Sequence, residues 1–189
     1  EQDLKSLLSD LNHTSQKGLQ TIFDSSVGRS TVNHPIGGRY QITPTEASVQ
    51  KLPVEHGKTE TVSVMAQGYN PYVAAWSPYH GAAYAVIEAT ARLVAAGSDW
   101  SRARFSYQEY FERMDKQAER FGQPVSALLG SIEAQIQLGL PSIGGKDSMS
   151  GTFEELTVPP TLVAFGVTTS TAGRILSPEF KAAGESIYY

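Results

Sequence analysis

The sequence predicts an α+β fold: an antiparallel or mixed sheet with helices packed on one face. Three observations lead there. Thr59-Glu60-Thr61-Val62-Ser63-Val64-Met65-Ala66 is β-branched with partial alternation, and Leu162-Val163-Ala164-Phe165-Gly166-Val167 is an apolar run of strand length. Between them lie consecutive helical segments rather than a strict strand–helix alternation, which argues against a doubly wound sheet. One of those helices carries Ala82, Ala83, Ala85, Val86, Ala89, Leu93 and Val94, a small-residue face suited to close packing on a sheet.

Taken in order, Leu4, Leu7, Leu8 and Leu11, then Leu19 and Ile22, have helical spacing broken near His13-Thr14, so two short helices are expected. Residues 23–42 are rich in glycine and hydroxyls and read as loop. Residues 48–53 and 59–67 read as strands, and Asn70-Pro71 as a turn. Ser77-Pro78 supplies an N-cap and a first-turn proline, and Gly97 a stop, for the small-residue helix. Ser106 and Glu109 have capping-box spacing, which predicts a helix reaching about Gln117. Pro124 opens a third helix, with Val125, Leu128, Leu129, Ile132, Ile136 and Leu138 as its apolar residues and Gly139 as its end. A glycine-rich loop follows, then the strand 162–167, and Ser177-Pro178 starts a surface turn.

The chain has 189 residues, 40% of them hydrophobic, a mean hydropathy of -0.24 and a formal charge of -4. That is room for one full domain with a sizeable core, and it disfavours nucleic-acid binding, which calls for a broad cationic surface. The absence of cysteine excludes disulfides, thiolate metal sites and a cysteine nucleophile within these residues. No apolar run has membrane-spanning length and the start lacks a signal-peptide pattern, so a cytoplasmic protein without membrane partners is the expectation. The ending, Glu185-Ser186-Ile187-Tyr188-Tyr189, starts like a strand and stops, as a piece of something longer would.

Gly144-Gly145-Lys146-Asp147-Ser148-Met149-Ser150-Gly151 concentrates glycines, hydroxyls, an ammonium and a carboxylate. Amides that must approach a polyanion have this composition. The order is not that of a P-loop, since Asp147 follows Lys146, and a tight turn before a strand is the plainer alternative. Glu88 with Arg92 four residues on is either a solvated helix pair or, through Glu88, a magnesium ligand beside a nucleotide. His13, His34, His56 and His80 have no ligand spacing, which excludes a zinc site of the usual pattern. His80, at a helix start where the dipole disfavours imidazolium, reads as a structural hydrogen-bonding residue before a general base. Ser148 and Ser150 have no histidine partner in the sequence to make a nucleophile. Tyr69, Tyr72, Trp76 and Tyr79 suit either a cleft lining or plain packing.

Several blocks together resemble the large, single-chain form of phosphoribosylformylglycinamidine synthase. They are Phe23-Asp24-Ser25-Ser26-Val27-Gly28, Tyr40-Gln41-Ile42-Thr43-Pro44-Thr45, Gly68-Tyr69-Asn70-Pro71, Trp76-Ser77-Pro78-Tyr79-His80-Gly81-Ala82, Phe105 to Phe111, Gly144 to Ser150, and Val158-Pro159-Pro160-Thr161. They occur in order from residue 19 to about 184.

The resemblance implies the second of two related synthetase-like halves, with a fold like the N-terminal subdomain of aminoimidazole ribonucleotide synthetase. On that reading residues 1–47 are a lead-in of helices and glycine-rich loop, 48–173 the α+β subdomain, and 174–189 the start of a C-terminal subdomain. The family is an amidotransferase ligase of purine biosynthesis, converting formylglycinamide ribonucleotide, ATP and glutamine to the amidine, ADP, phosphate and glutamate. Ammonia comes from a glutaminase domain that these residues do not contain. The implied partners are therefore the other domains of the polypeptide, and a second copy of this chain through an exposed sheet.

By the same resemblance, this half holds ATP or ADP with Mg2+. Gly144, Gly145, Lys146, Asp147 and Ser148 contact the nucleotide, Glu46 and Glu88 bind the metal, and no residue is catalytic. A further ligand position carries Arg92, which cannot bind magnesium. Metal held by fewer ligands, phosphate bound without metal, or a lost site are all compatible with that. The alternative function is a pseudo-symmetric scaffold half without nucleotide.

Overall fold

The computed structural model describes residues 2–15, 17–23 and 29–188, and for Phe23 the backbone only; the 24–28 part of the block beginning at Phe23 lies outside the described residues. Two helices, α1 (Gln2–Ser9) and α2 (Lys17–Phe23), are separated by a break at 10–14, as the leucine spacing predicts. Three short strands follow: β1 (Thr31–Asn33), β2 (Ile36–Gly37) and β3 (Thr43–Pro44). Then come β4 (Ser48–Lys51) and β5 (Thr61–Gly68), helices α3 (Pro71–Trp76) and α4 (Pro78–Ala95), and a 3-10 turn at Trp100–Arg102. The remainder is β6 (Arg104–Tyr110), α5 (Ala118–Leu138), β7 (Ser142–Ser148), the small hairpin β8 (Thr152–Phe153) and β9 (Leu156–Thr157), β10 (Thr161–Thr171), and a 3-10 turn at Ala172–Arg174.

Six strands form one mixed sheet in the order β1-β4-β5-β10-β6-β7. Every neighbouring pair is antiparallel except β6 and β7, which run parallel. β1 pairs with β4, so the segment expected as a lead-in contributes a strand to this sheet. Alternation fixes the faces. Val62, Val64, Ala66 and Gly68 of β5, Leu162, Ala164 and Gly166 of β10, and Phe105 and Tyr107 of β6 are buried on one side. α4 lies on that side against β5 and β10, and α5 packs along α4. The opposite face presents Met65, Gln67, Val163, Phe165, Val167 and Gln108.

The caps of α4 follow from the sequence. Ser77 Oγ accepts from the His80 amide at 3.4 Å, Pro78 occupies the first turn, and Gly97 follows the C-cap with φ +84. Small residues on α4 let the backbones approach. A Cβ on Gly68 would sit 2.0 Å from the carbonyl oxygen of Ala85. Asn70 does more than turn the chain: its side chain accepts from the amides of Tyr72 and Val73 and caps α3.

Three expectations are corrected. Residues 106–117 are not a helix, because Phe105, Tyr107 and Glu109 alternate with Arg104, Ser106, Gln108 and Tyr110 and form β6. Period two over seven residues prevails over a capping-box spacing. α5 starts at Ala118, placing Pro124 inside the helix rather than at its start. The glycine-rich stretch begins as an edge strand, not a loop: Ser142 and residues 144–148 pair with β6, with an irregularity at Ile143. α5 also buries Pro124, Ala127, Gly130, Ser131 and Ala134, while Val125, Leu129, Ile132 and Ile136 are exposed. The close crossing selects the small side, since a Cβ on Gly130 would lie 1.9 Å from the carbonyl oxygen of Tyr79.

Candidate functional site

The first polar constellation sits where β5 outruns β4. Pairing of these strands begins at Ser48 opposite Met65, which leaves the backbone edge of residues 66–68 open on that side. Arg92 of α4 reaches the opening and donates from Nη1 to the carbonyl of Gln67 at 3.0 Å. Its Nη2 lies 2.8 Å from Glu88 Oε1, and its Nε lies 2.9 Å from Glu46 Oε2. Glu88 uses its second oxygen to accept from the Tyr69 amide at 2.9 Å. A cavity of about 200 Å³ adjoins this node, lined by Thr45, Glu46, Met65, Gln67, Arg92 and Phe165 among others.

The two carboxylates expected from the family resemblance are thus together, joined through a guanidinium rather than through an ion. That arrangement does not fit Mg2+ at Glu46 and Glu88. Arg92 fills the space between them with a fixed positive charge, and a cation there would be repelled as well as displaced. No group of three or more acidic, histidine or cysteine side chains suited to a metal occurs among the described residues.

The second set, Gly144 to Ser148, lies on the other side of the sheet. Between β5 and β7 stand β10 and β6, so the two strands are three spacings, about 14 Å, apart. Lys146 pairs with Gln108 on the face away from the helices, and its Nζ lies 5.1 Å from the centre of the Tyr110 ring. Ser148 Oγ is 3.1 Å from Ser150 Oγ. Strand geometry accounts for both glycines: Gly144 has φ +137, and a Cβ on Gly145 would meet the Tyr107 carbonyl oxygen at 2.8 Å. Lys146 and Glu88 therefore do not meet, although the register places Lys146 level with the end of β5 where Glu88 holds Tyr69.

The start of α4 is structural in the way its histidine suggested. His80 Nδ1 is 2.8 Å from Ser77 Oγ, and its ring packs 5.0 Å from Trp76 and 5.3 Å from Tyr79. Tyr72 and Trp76 are exposed, whereas the hydroxyl of Tyr69 is 2.9 Å from Thr161 Oγ1.

Sequence reasoning missed Glu109. It is 2% exposed on the buried side of β6, opposite Asp147 of β7, and its Oε2 has no hydrogen-bond partner among the described residues. Burial pushes its carboxyl up to about 7, and the Asp147 charge adds to the rise. The neighbouring Tyr107 hydroxyl is likewise unpartnered, and its acidity is suppressed by burial and by Glu109. The signal was the alternation of Phe105-Ser106-Tyr107-Gln108-Glu109, which puts Glu109 on the same face as two aromatics.

No family model matches the chain, and no curated protein matches it. Solved structures do. PurLQS from Thermotoga maritima superposes with a TM-score of 0.70 at 17% identity, over 88% of this chain and 25% of that one. PurL of T. maritima complexed with ADP gives 0.69 at 17% identity, over 91% and 26%. Phosphoribosylformylglycinamidine synthase II from the same organism gives 0.61 at 18% identity, over 80% and 23%. The chain spans about a quarter of the length of these structures. The fold is the aminoimidazole ribonucleotide synthetase-like arrangement that the sequence blocks implied.

Proposed function

We propose that this chain is a nucleotide-binding, synthetase-like half of an ATP-dependent ligase of purine biosynthesis, which turns formylglycinamide ribonucleotide, glutamine and ATP into the amidine. The observation that carries the reading is the fold shared over most of the chain with a PurL structure complexed with ADP. The ligand is ATP or ADP. The ammonia-supplying glutaminase and the catalytic half belong to other domains of a cytoplasmic polypeptide, so this chain alone is inactive and holds nucleotide weakly or not at all.

In this reading Arg92 stands where a cation would balance Glu46 and Glu88, and Glu88 fixes the turn at Tyr69 that ends β5. Lys146 and Ser148, on one face of β7, serve a phosphate at the far edge of the sheet with the backbone of Gly144 and Gly145, while Asp147 faces the other way, opposite Glu109. Lys146 acts as a point charge. Phosphoryl transfer rests on such positioned charge rather than on covalent help from the protein. The open sheet face with Met65, Phe165 and Val167 pairs with a counterpart sheet, in the other half or in a second copy.

A scaffold half without nucleotide is the second reading, favoured by the distance between Lys146 and Glu88. Calorimetric titration of ADP into the intact polypeptide that contains this chain separates the two. Binding that weakens about tenfold in Glu88→Ala supports the first reading. Equal binding in both proteins removes Glu88 from the site, and absence of binding at this half in either leaves the scaffold.

A further inference from the structure

At the opposite end of the sheet from Tyr69, five segments converge on a cleft of about 260 Å³ lined by Thr61, Gly97, Asp99, Arg102, Thr169, Ser170, Thr171 and Arg174. We propose that this cleft binds a phosphate-type dianion, either free phosphate or the phosphate of a small phosphorylated metabolite.

Two arginines from different 3-10 turns face this cleft. Neither guanidinium makes an ion pair within 4.0 Å or a side-chain hydrogen bond among the described residues. Two other arginines show the contrast: Arg92 holds two carboxylates, and Arg120 holds Glu112 and Asp115. In a protein of net charge -4, two unengaged guanidiniums on one small cleft are a local excess of positive charge.

Asp99 is the acidic group within the lining, and its carboxylate is already committed. Oδ1 accepts from the Ser101 amide at 3.0 Å and from Ser101 Oγ at 2.7 Å, and Asp99 caps the 102-bearing turn. Those bonds, with the charges of Arg102 and Arg174, hold its carboxyl below the usual carboxylate range. Two positive charges against one negative leave a surplus for a ligand.

The rest of the lining supplies neutral donors. Thr61, Thr169 and Thr171 carry hydroxyls on one face of two adjacent strands, where Thr171 pairs with Thr61, and Ser170 carries one on the other face. β10 also runs past the start of β6, where Val167 pairs with Arg104, so 168–171 have no strand partner on that side. Guanidinium forks and hydroxyls are the groups that recognise phosphate oxygens. The volume falls below the roughly 300–1,000 Å³ of pockets for drug-sized ligands, which suits a phosphate or a small phosphorylated sugar over a whole nucleotide.

The test titrates inorganic phosphate and ribose 5-phosphate separately into this chain at low ionic strength, followed by calorimetry and phosphorus NMR. Saturable millimolar or tighter binding is expected. It should weaken about tenfold or more in Arg102→Ala and in Arg174→Ala, one lost charge-assisted fork each. Asp99→Asn keeps the cap acceptor but removes the opposing charge, so it should tighten binding. Arg113→Ala removes an exposed cation beyond the far end of β6 and should leave this binding unchanged. Preference for ribose 5-phosphate identifies a phosphorylated metabolite, and equal binding identifies free phosphate. No saturable binding of either, or binding indifferent to both arginines in variants with native circular dichroism, overturns the proposal.

Discussion

The guanidinium of Arg92 lies 2.9 Å from the carboxylate of Glu46, joining a helix on the sheet to the segment that leads into β4. The contact passes the open edge of β5, whose Gln67 carbonyl takes a further hydrogen bond from the same side chain. With Glu88 2.8 Å away, one cation neutralises two acidic side chains.

Replacing Arg92 with asparagine should therefore expose a pair of carboxylates that repel each other. The pair is partly solvated, so the expected loss is about 1 kcal/mol in chemical denaturation. The same variant should gain Mn2+ binding, detectable by calorimetry, that the parent chain lacks and that Glu46→Gln removes. An Arg92→Asn protein with no affinity for divalent cations would count against the guanidinium standing in a cation's place.

Glu109 should make stability depend on pH in a defined direction. Its folded-state value of about 7 exceeds the ordinary 4.5, so the folded chain holds a proton that the unfolded chain releases. Stability is thus greatest on the acid side of this window, falls as pH rises from about 4.5 to 7, and levels off above. A shift of that size corresponds to about 3 kcal/mol. Glu109→Gln should flatten this part of the profile and be the more stable protein at pH 8. Parallel urea-melt profiles for the two proteins from pH 5 to 8 would contradict the assignment.

Two glycine-to-alanine changes should have opposite signs. Gly68→Ala forces a methyl to within 2.0 Å of the Ala85 carbonyl oxygen, where backbone must move, and should cost about 3 kcal/mol or more. Gly122 sits in α5, and a methyl added there would have nothing within 4 Å, so Gly122→Ala should stabilise by about 0.5–1 kcal/mol. Thermal melts of both variants check the packing of α4 on β5 against a site where only helix propensity acts.

The open face of the sheet should pair. Met65 is 41% exposed and Val167 36%, the two are register partners, and Phe165 follows on the same face opposite Gln67. Sedimentation equilibrium is expected to show self-association of the isolated chain, abolished by Phe165→Glu. A monomer at every concentration would remove the pairing of this face with a second copy.

Much of the architecture was legible in the residues. The leucine spacing of α1 and α2, the caps Ser77 and Gly97, and the β-branched run of β5 are local patterns, and local sterics and hydrogen bonding decide them. Arg92 at a position where a metal ligand was implied was also visible in the chain. The helix expected at 106–117 failed because a capping-box spacing of Ser106 and Glu109 is a short-range cue, while pairing with β10 and β7 is not readable from adjacent residues.

Residue types and their local spacing set which segments could be helix or strand, and which side chains carried charge and donors. Long-range packing settled who meets whom. It put the glycines of 144–145 in a sheet edge, set Lys146 on a strand three spacings from β5, at whose end Glu88 holds Tyr69, turned the large apolar side of α5 outward, and gathered Arg102 and Arg174 on one cleft. The reason is that strand order and helix crossing are fixed by burial and backbone approach, which depend on partners far away in the chain.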